Sequence, residues 1–131
     1  MSYFVTGGTG FIGRFLIGNL LKRKGTIHVL VRKASLKKFE AMAKKQAWDP
    51  KRVIAVAGDM TAANCGLTAA QIRALTGKIQ HFFHLAAIYD LTASAEEQQA
   101  ANIDGTRHAL DLGAALKVKC FHHASSIAAA G

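Results

Sequence analysis

Little in this sequence points to a protein held by cross-links or threaded through a membrane. Only two cysteines, Cys65 and Cys120, occur in 131 residues. They show no pairing pattern and no metal-ligand spacing, which excludes a disulfide framework and fits a reducing, cytoplasmic setting. The single proline, Pro50, leaves no proline-rich linker. No uncharged apolar run approaches the ~18 residues that span a bilayer, and the start MSYFVTGGTGF lacks a basic n-region. An integral membrane segment is therefore not expected. Acidic residues are scarce: 8 Asp+Glu against 17 Lys+Arg leave a net charge of +9. Such an excess suits nucleic acid, an anionic membrane or a phosphorylated ligand. Here the basic residues are scattered, from Lys22 through Arg32 and Lys45 to Arg52, as solvated helix faces and loops are. No groove-reading motif accompanies them, so nucleic acid is not an expected partner.

Half the residues are hydrophobic, enough for one globular core at this length. They fall into alternating strand and helix patterns. YFVT (3–6), IHVLV (27–31), RVIAVAG (52–58), HFFHLAA (81–87) and KCFHHA (119–124) are short apolar or β-branched runs that read as strands. Between them, Phe11, Ile12, Phe15, Leu16 and Leu20 recur at helical spacing, with Gly25 as a stop. Further helices are predicted over about 36–47, over 67–75 with Thr68 as N-cap and Gly77 past the end, and over 95–116. In the last, Ile103, Thr106, Leu110 and Ala114 are expected on the sheet-facing side, with Glu96 and Glu97 near its positive end. Five strands alternating with helices imply parallel crossovers: an α/β fold, a doubly wound parallel sheet covered on both faces.

The most informative stretch is TGGTGFIGR (6–14), which joins the first strand to the first helix. Gly8, Gly10 and Gly13 satisfy G-x-G-x-x-G in the context that makes the motif meaningful. A tight turn needs positive φ, the backbone must approach a pyrophosphate with no Cβ between, and the helix must pack closely on its strand. Free N–H groups at the helix N-terminus then face the anion. The second strand ends in LVRKAS, where Arg32 and Lys33 stand in place of the acid that takes a ribose 2′-hydroxyl in NAD-type sites. A guanidinium binds a 2′-phosphate that a carboxylate would repel, so NADP(H) is the expected cofactor.

Asp59, in AGDM, sits where the third strand ends and is suited to accept from an adenine amino group; an Asp capping a loop is the plainer alternative. HLAA (84–87) ends another strand, and its small residues would let the backbone approach the cofactor. Strand alternation places His81 and His84 on opposite faces, and likewise His122 and His123, so packed or solvated histidines are expected rather than a metal centre.

With these motifs in order, the chain resembles the extended short-chain dehydrogenase/reductase family across its length, in TGGTGFIGR, AGDM, HLAAIYD, NIDGT (102–106) and HHASSIAAAG (122–131). TGGTGFIGRFL followed by VLVRKAS looks most like the fatty acyl-CoA reductase and thioester-reductase branch. That resemblance implies a Rossmann-type, NADP-binding domain over 1–131, an NADPH-dependent reductase, and an acyl thioester substrate reduced to aldehyde or alcohol. It implies a cofactor site of Gly7, Gly8, Thr9, Gly10, Phe11, Ile12 and Gly13 around the pyrophosphate, with Arg32 and Lys33 at the 2′-phosphate. Asp59 and Met60 would flank the adenine, Leu85, Ala86 and Ala87 would lie along the cofactor, and Asn102 would brace the fourth strand. Ser126 aligns with the catalytic Ser/Thr, with Ser125 beside it. In the family that hydroxyl works with a Tyr-x-x-x-Lys pair. Here the only tyrosines are Tyr3 and Tyr89, and neither has a lysine four residues on. The expectation is an N-terminal piece of a longer enzyme, inactive alone and prone to self-association through an exposed sheet edge. Two alternatives stay open: a nucleotide-sugar epimerase/dehydratase or hydroxysteroid-type dehydrogenase of the same fold, and a non-catalytic NADP(H)-sensing regulator.

Overall fold

In the computed structural model, residues 2–7, 11–60, 62–85 and 95–123 are described. Five parallel strands, β1 (Ser2–Thr6), β2 (Thr26–Val31), β3 (Val53–Ala57), β4 (Ile79–His84) and β5 (Cys120–His123), lie in the order β3-β2-β1-β4-β5. Four α-helices alternate with them: α1 (Phe11–Leu20), α2 (Leu36–Lys45), α3 (Ala69–Leu75) and α4 (Ala95–Leu116). The chain winds outward from β1 to β3, crosses back to β4, and winds the other way to β5. That reversal, between β1 and β4, is the place where open α/β sheets form their ligand crevice.

The period of two along each strand divides the core between the two faces. On one, Tyr3, Val5, Ile27, Val29 and Val31 pack with Ile17 and Leu20 of α1, Phe39 of α2 and Trp48. On the other, Phe4, Val56, Ile79 and Phe82 pack with Cys65, Leu67 and the Ala109, Leu112 and Leu116 stripe of α4. β1 is central, and its Tyr3–Thr6 run is buried throughout, as a strand covered on both faces requires.

Local chemistry sets the element ends. Thr68 caps α3: its side chain accepts from the Gln71 N–H, and the Gln71 side chain accepts from the Thr68 N–H, a reciprocal capping box. After α1, the Arg52 guanidinium reaches back to the carbonyls of Leu21 (2.9 Å), Gly25 (3.1 Å) and Arg23. Arg52 is thus a strut between the end of α1 and the start of β3, not one of the solvated basic residues.

One expectation about α4 is overturned in part: of the four residues expected on its sheet-facing side, only Thr106 reaches the sheet, at His84. Ile103 and Leu110 are exposed, at 54% and 49%, and Ala114 is exposed too. The buried side is Gly105, Ala109, Leu112, Gly113 and Leu116. Small residues decide this face because they let the helix come close. A Cβ at Gly113 would press on the Phe121 ring of β5, 3.1 Å away, and one at Gly105 would touch Met60. Turning Ile103 and Leu110 inward would forfeit both approaches.

Candidate dinucleotide site

Among the described residues singled out from sequence, Gly7, Arg32, Lys33, Asp59, Met60 and Leu85 follow the C-terminal ends of β1 to β4, on one side of the sheet. Gly7 follows β1 with φ 74°, in the left-handed region that glycine enters without a Cβ penalty. Gly13 is buried within α1, and Phe11 and Ile12 open that helix. Beside this turn, the Leu85 N–H points back to the Thr6 carbonyl and hydroxyl, 3.2 Å from each, closing β4 onto β1. Arg32 follows β2 in extended conformation and is exposed; Lys33 begins a short 3-10 turn to Ser35. The Gly58 N–H donates to the Val31 carbonyl at 3.0 Å, which brings the end of β3 alongside the Arg32 corner.

A tight loop holds Asp59. Its N–H donates to the Cys65 carbonyl (2.8 Å), and its carbonyl accepts from Ala62 (3.0 Å). Asn64 and Cys65 both have positive φ, 51° and 55°, which costs strain in non-glycine residues. The folded-back loop sets the Cys65 carbonyl against Gly58, where any Cβ would collide with it and with Leu30. Burial, and secondarily the charge of Asp59, pushes the Cys65 thiol up to about 11, so it stays protonated. The Met60 carbonyl accepts from His108 Nδ1 at 2.6 Å, tying the segment to α4. The strained pair, His108 and Gly58 itself were not picked out from sequence. AGDM was the local signal, but the partners that shape its loop come from elsewhere in the chain.

His84, at the end of β4, is buried between two hydroxyls: Thr6 Oγ1 at 2.7 Å from Nδ1 and Thr106 Oγ1 at 3.3 Å from Nε2. Burial, then the neighbouring charge of His123, lowers its pKa from 6.5 to about 4. A neutral imidazole offers one donor and one acceptor, which suits two hydroxyls. The network joins β1, β4 and α4 directly beneath the crevice. Thr106 belongs to the NIDGT stretch, and it is this threonine that visibly braces β4. Asn102 lies in α4 by its backbone.

Gly8, Thr9, Gly10, Ala86, Ala87, Ser125 and Ser126 lie outside the described residues, as do the side chains of Phe11, Ile12 and Asn102. Of the histidines, His81 and His84 do occupy opposite faces of β4. Across the strands, however, His81 meets His122 and Cys120, a grouping that alternation within each strand does not reveal.

The residues present fit a dinucleotide. The turn after β1 has the positive φ that a phosphate-binding glycine needs, and the β2 corner carries a guanidinium instead of an acid. Arg14, just past the glycines, has a buried Nε without a partner among the described residues. Fold and site together define an NAD(P)-binding domain of the extended short-chain dehydrogenase/reductase type. The chain belongs to the NAD-binding family described as male sterility protein, which it matches over residues 5–131. It is 33% identical over 132 residues to a component of the linear gramicidin synthase of Brevibacillus parabrevis, covering 94% of this chain and 3% of that protein. It is 31% identical over 130 residues to a Drosophila melanogaster protein named as a fatty acyl-CoA reductase, covering 87% of this chain and 23% of that one. Among solved structures, it is similar to the terminal R domain of the myxalamid PKS-NRPS pathway, with TM-score 0.80 and 28% identity over 96% of this chain and 34% of that one. The chain thus spans a small part of these relatives, about a third of the solved domain and less of the two proteins. No helix among the described residues is long and apolar enough to cross a membrane.

Proposed function

We propose that this domain binds NADP(H) in a reductase that acts on an acyl thioester. The observation that carries the reading is the pairing of a positive-φ glycine turn after β1 with Arg32 after β2, on one edge of the sheet. The glycine turn and the start of α1 hold the pyrophosphate, through Gly7, Gly8, Thr9, Gly10 and Gly13. Arg32, helped by Lys33, binds the 2′-phosphate. Asp59 and Met60 border the adenine on a loop fixed by Cys65 and His108. Leu85, Ala86 and Ala87, which follow β4 in the chain, contact the cofactor, and the Thr6–His84–Thr106 network ties the end of β4 to β1 and α4. When bound, the nicotinamide supplies the hydride. Ser126, with Ser125 beside it, hydrogen-bonds the oxygen of the carbonyl whose carbon receives that hydride. The 131 residues contain no Tyr-x-x-x-Lys pair, so turnover is proposed for a protein that adds a proton donor to this domain.

The names of the relatives support the thioester reading: one is called a fatty acyl-CoA reductase, one is a subunit of the linear gramicidin synthase, and one is the terminal R domain of a PKS-NRPS pathway. Acyl-CoA is the proposed form, with a carrier-bound thioester as its competitor.

Titration of the chain with NADPH and NADH tests the cofactor. Loss of a charge-assisted contact in Arg32→Ala should weaken NADPH binding about 10- to 100-fold and leave NADH unchanged. Equal affinity for the two cofactors, or an Arg32→Ala variant that binds NADPH normally, would overturn the 2′-phosphate assignment. NADPH oxidation by the complete enzyme on a long-chain acyl-CoA tests the substrate; activity on a nucleotide sugar instead would replace it.

A further inference from the structure

On the face of the sheet away from His84, β4 and β5 bring three soft or borderline donors together. Parallel pairing sets His81 opposite Cys120 and Phe83 opposite His122. His81, Cys120 and His122 therefore share one face although the first two lie 39 positions apart in the chain. His81 Nδ1 lies 3.0 Å from His122 Nε2, and one ligand atom from each of the three residues falls within 4.8 Å of the others. Cys120 and His122 are exposed and His81 is half-buried, so an ion can enter from solvent.

Aromatic neighbours hold the imidazoles. His81 stacks on Tyr3 (5.9 Å between centroids) and Phe83 (6.0 Å), and His122 stacks on Phe83 at 4.6 Å. Such packing limits ring rotation, which lowers the entropy cost of gathering the donors.

We propose that His81, Cys120 and His122 form a binding site for a zinc-class divalent ion, with water as the fourth ligand. Two imidazoles and a thiolate match the nitrogen and sulfur preference of such ions, whereas calcium and magnesium want oxygen. Tetrahedral zinc holds its ligand atoms roughly 3.3–3.7 Å apart, so small side-chain adjustments within the present cluster suffice. The balance is simple. The imidazole that donates in the His81–His122 contact shifts its proton to its other ring nitrogen, freeing both lone pairs. The Cys120 thiol releases its proton to solvent, and the ion takes its place. Binding therefore weakens as pH falls. The site lies on the β4–β5 edge of the sheet, with Cys120 the first residue of β5, and it stands independently of the dinucleotide reading.

Cobalt(II) titration of the reduced, tag-free chain tests this. A 1:1 complex should show an intense tetrahedral visible spectrum and a thiolate-to-cobalt charge-transfer band, both lost on adding zinc. Cys120→Ser should abolish the charge-transfer band, and its exposed position lets the variant fold. His122→Ala should weaken zinc binding at least about tenfold, the scale on which even outer contacts of metal sites matter. His28→Asn, on the other face, should bind zinc like the parent. Absence of the charge-transfer band, or its survival in Cys120→Ser, would overturn the proposal. If His122→Ala does not fold, Cys120→Ser decides by itself.

Discussion

His81 and His84 stand three residues apart on the same strand and have opposite surroundings. His84 faces α4, is 1% exposed, and has a threonine hydroxyl at each ring nitrogen. His81 faces away from α4, is half-buried, and has another imidazole and a thiol as its neighbours. One residue type thus does two jobs, because the strand's period of two sends alternate side chains to different environments. The covered face turns a histidine into a neutral structural bridge. The other face, at its β4–β5 edge, sets two histidines and a cysteine side by side, with Cys120 and His122 exposed.

The largest test of this contrast is stability. His84→Ala leaves the Thr6 and Thr106 hydroxyls across a void and should cost about 3 kcal/mol by chemical denaturation. His81→Ala should cost under about 1 kcal/mol, as a partly exposed substitution does. Equal losses would erase the distinction.

The pH dependence of folding is the next measure. The folded-state pKa of His84, about 4, lies below its ordinary 6.5. Above 6.5 neither state is protonated at this residue. Between 6.5 and 4 only the unfolded chain takes up the proton, so stability falls as pH falls; below 4 the loss is complete. His28, lowered by burial and then by the charge of Lys78, adds to the slope in the same sense. Denaturation midpoints between pH 7 and pH 4 should therefore drop, and His84→Asn should flatten the drop without removing it. An unchanged slope in that variant would refute the buried-bridge assignment.

The smallest effect concerns the two thiols. Cys120 is exposed, whereas Cys65 is buried and its pKa is raised to about 11. A thiol-specific disulfide reagent should titrate one sulfhydryl in the native chain and both after unfolding. Saturating zinc should slow the native reaction if Cys120 is a ligand. Rapid reaction of both thiols in the folded state would contradict the burial of Cys65.

The order of strands and helices was legible because each element carries its own local pattern. YFVT and IHVLV are too short and too apolar to be surface helices, and Thr68 with Gln71 announces the start of α3. The glycine-rich stretch after β1 was legible for the same reason, and Gly7, its first glycine, has a positive φ. The sheet-facing side of α4 was misread because counting apolar residues favoured Ile103 and Leu110. Close approach at Gly105 and Gly113, a property of what lies opposite, won instead.

The sequence by itself determined the winding of the sheet, the glycine-rich turn on its first crossover, and the basic corner after β2. Each rests on residues adjacent in the chain or on the chirality that parallel crossovers impose. Tertiary structure alone decided that Arg52 would brace α1, that Thr106 would hold His84, and that His81 would meet Cys120 and His122. Those contacts depend on the register between strands and on the depth at which helices dock. Both are set by packing across the whole core, and no single stretch of sequence records them.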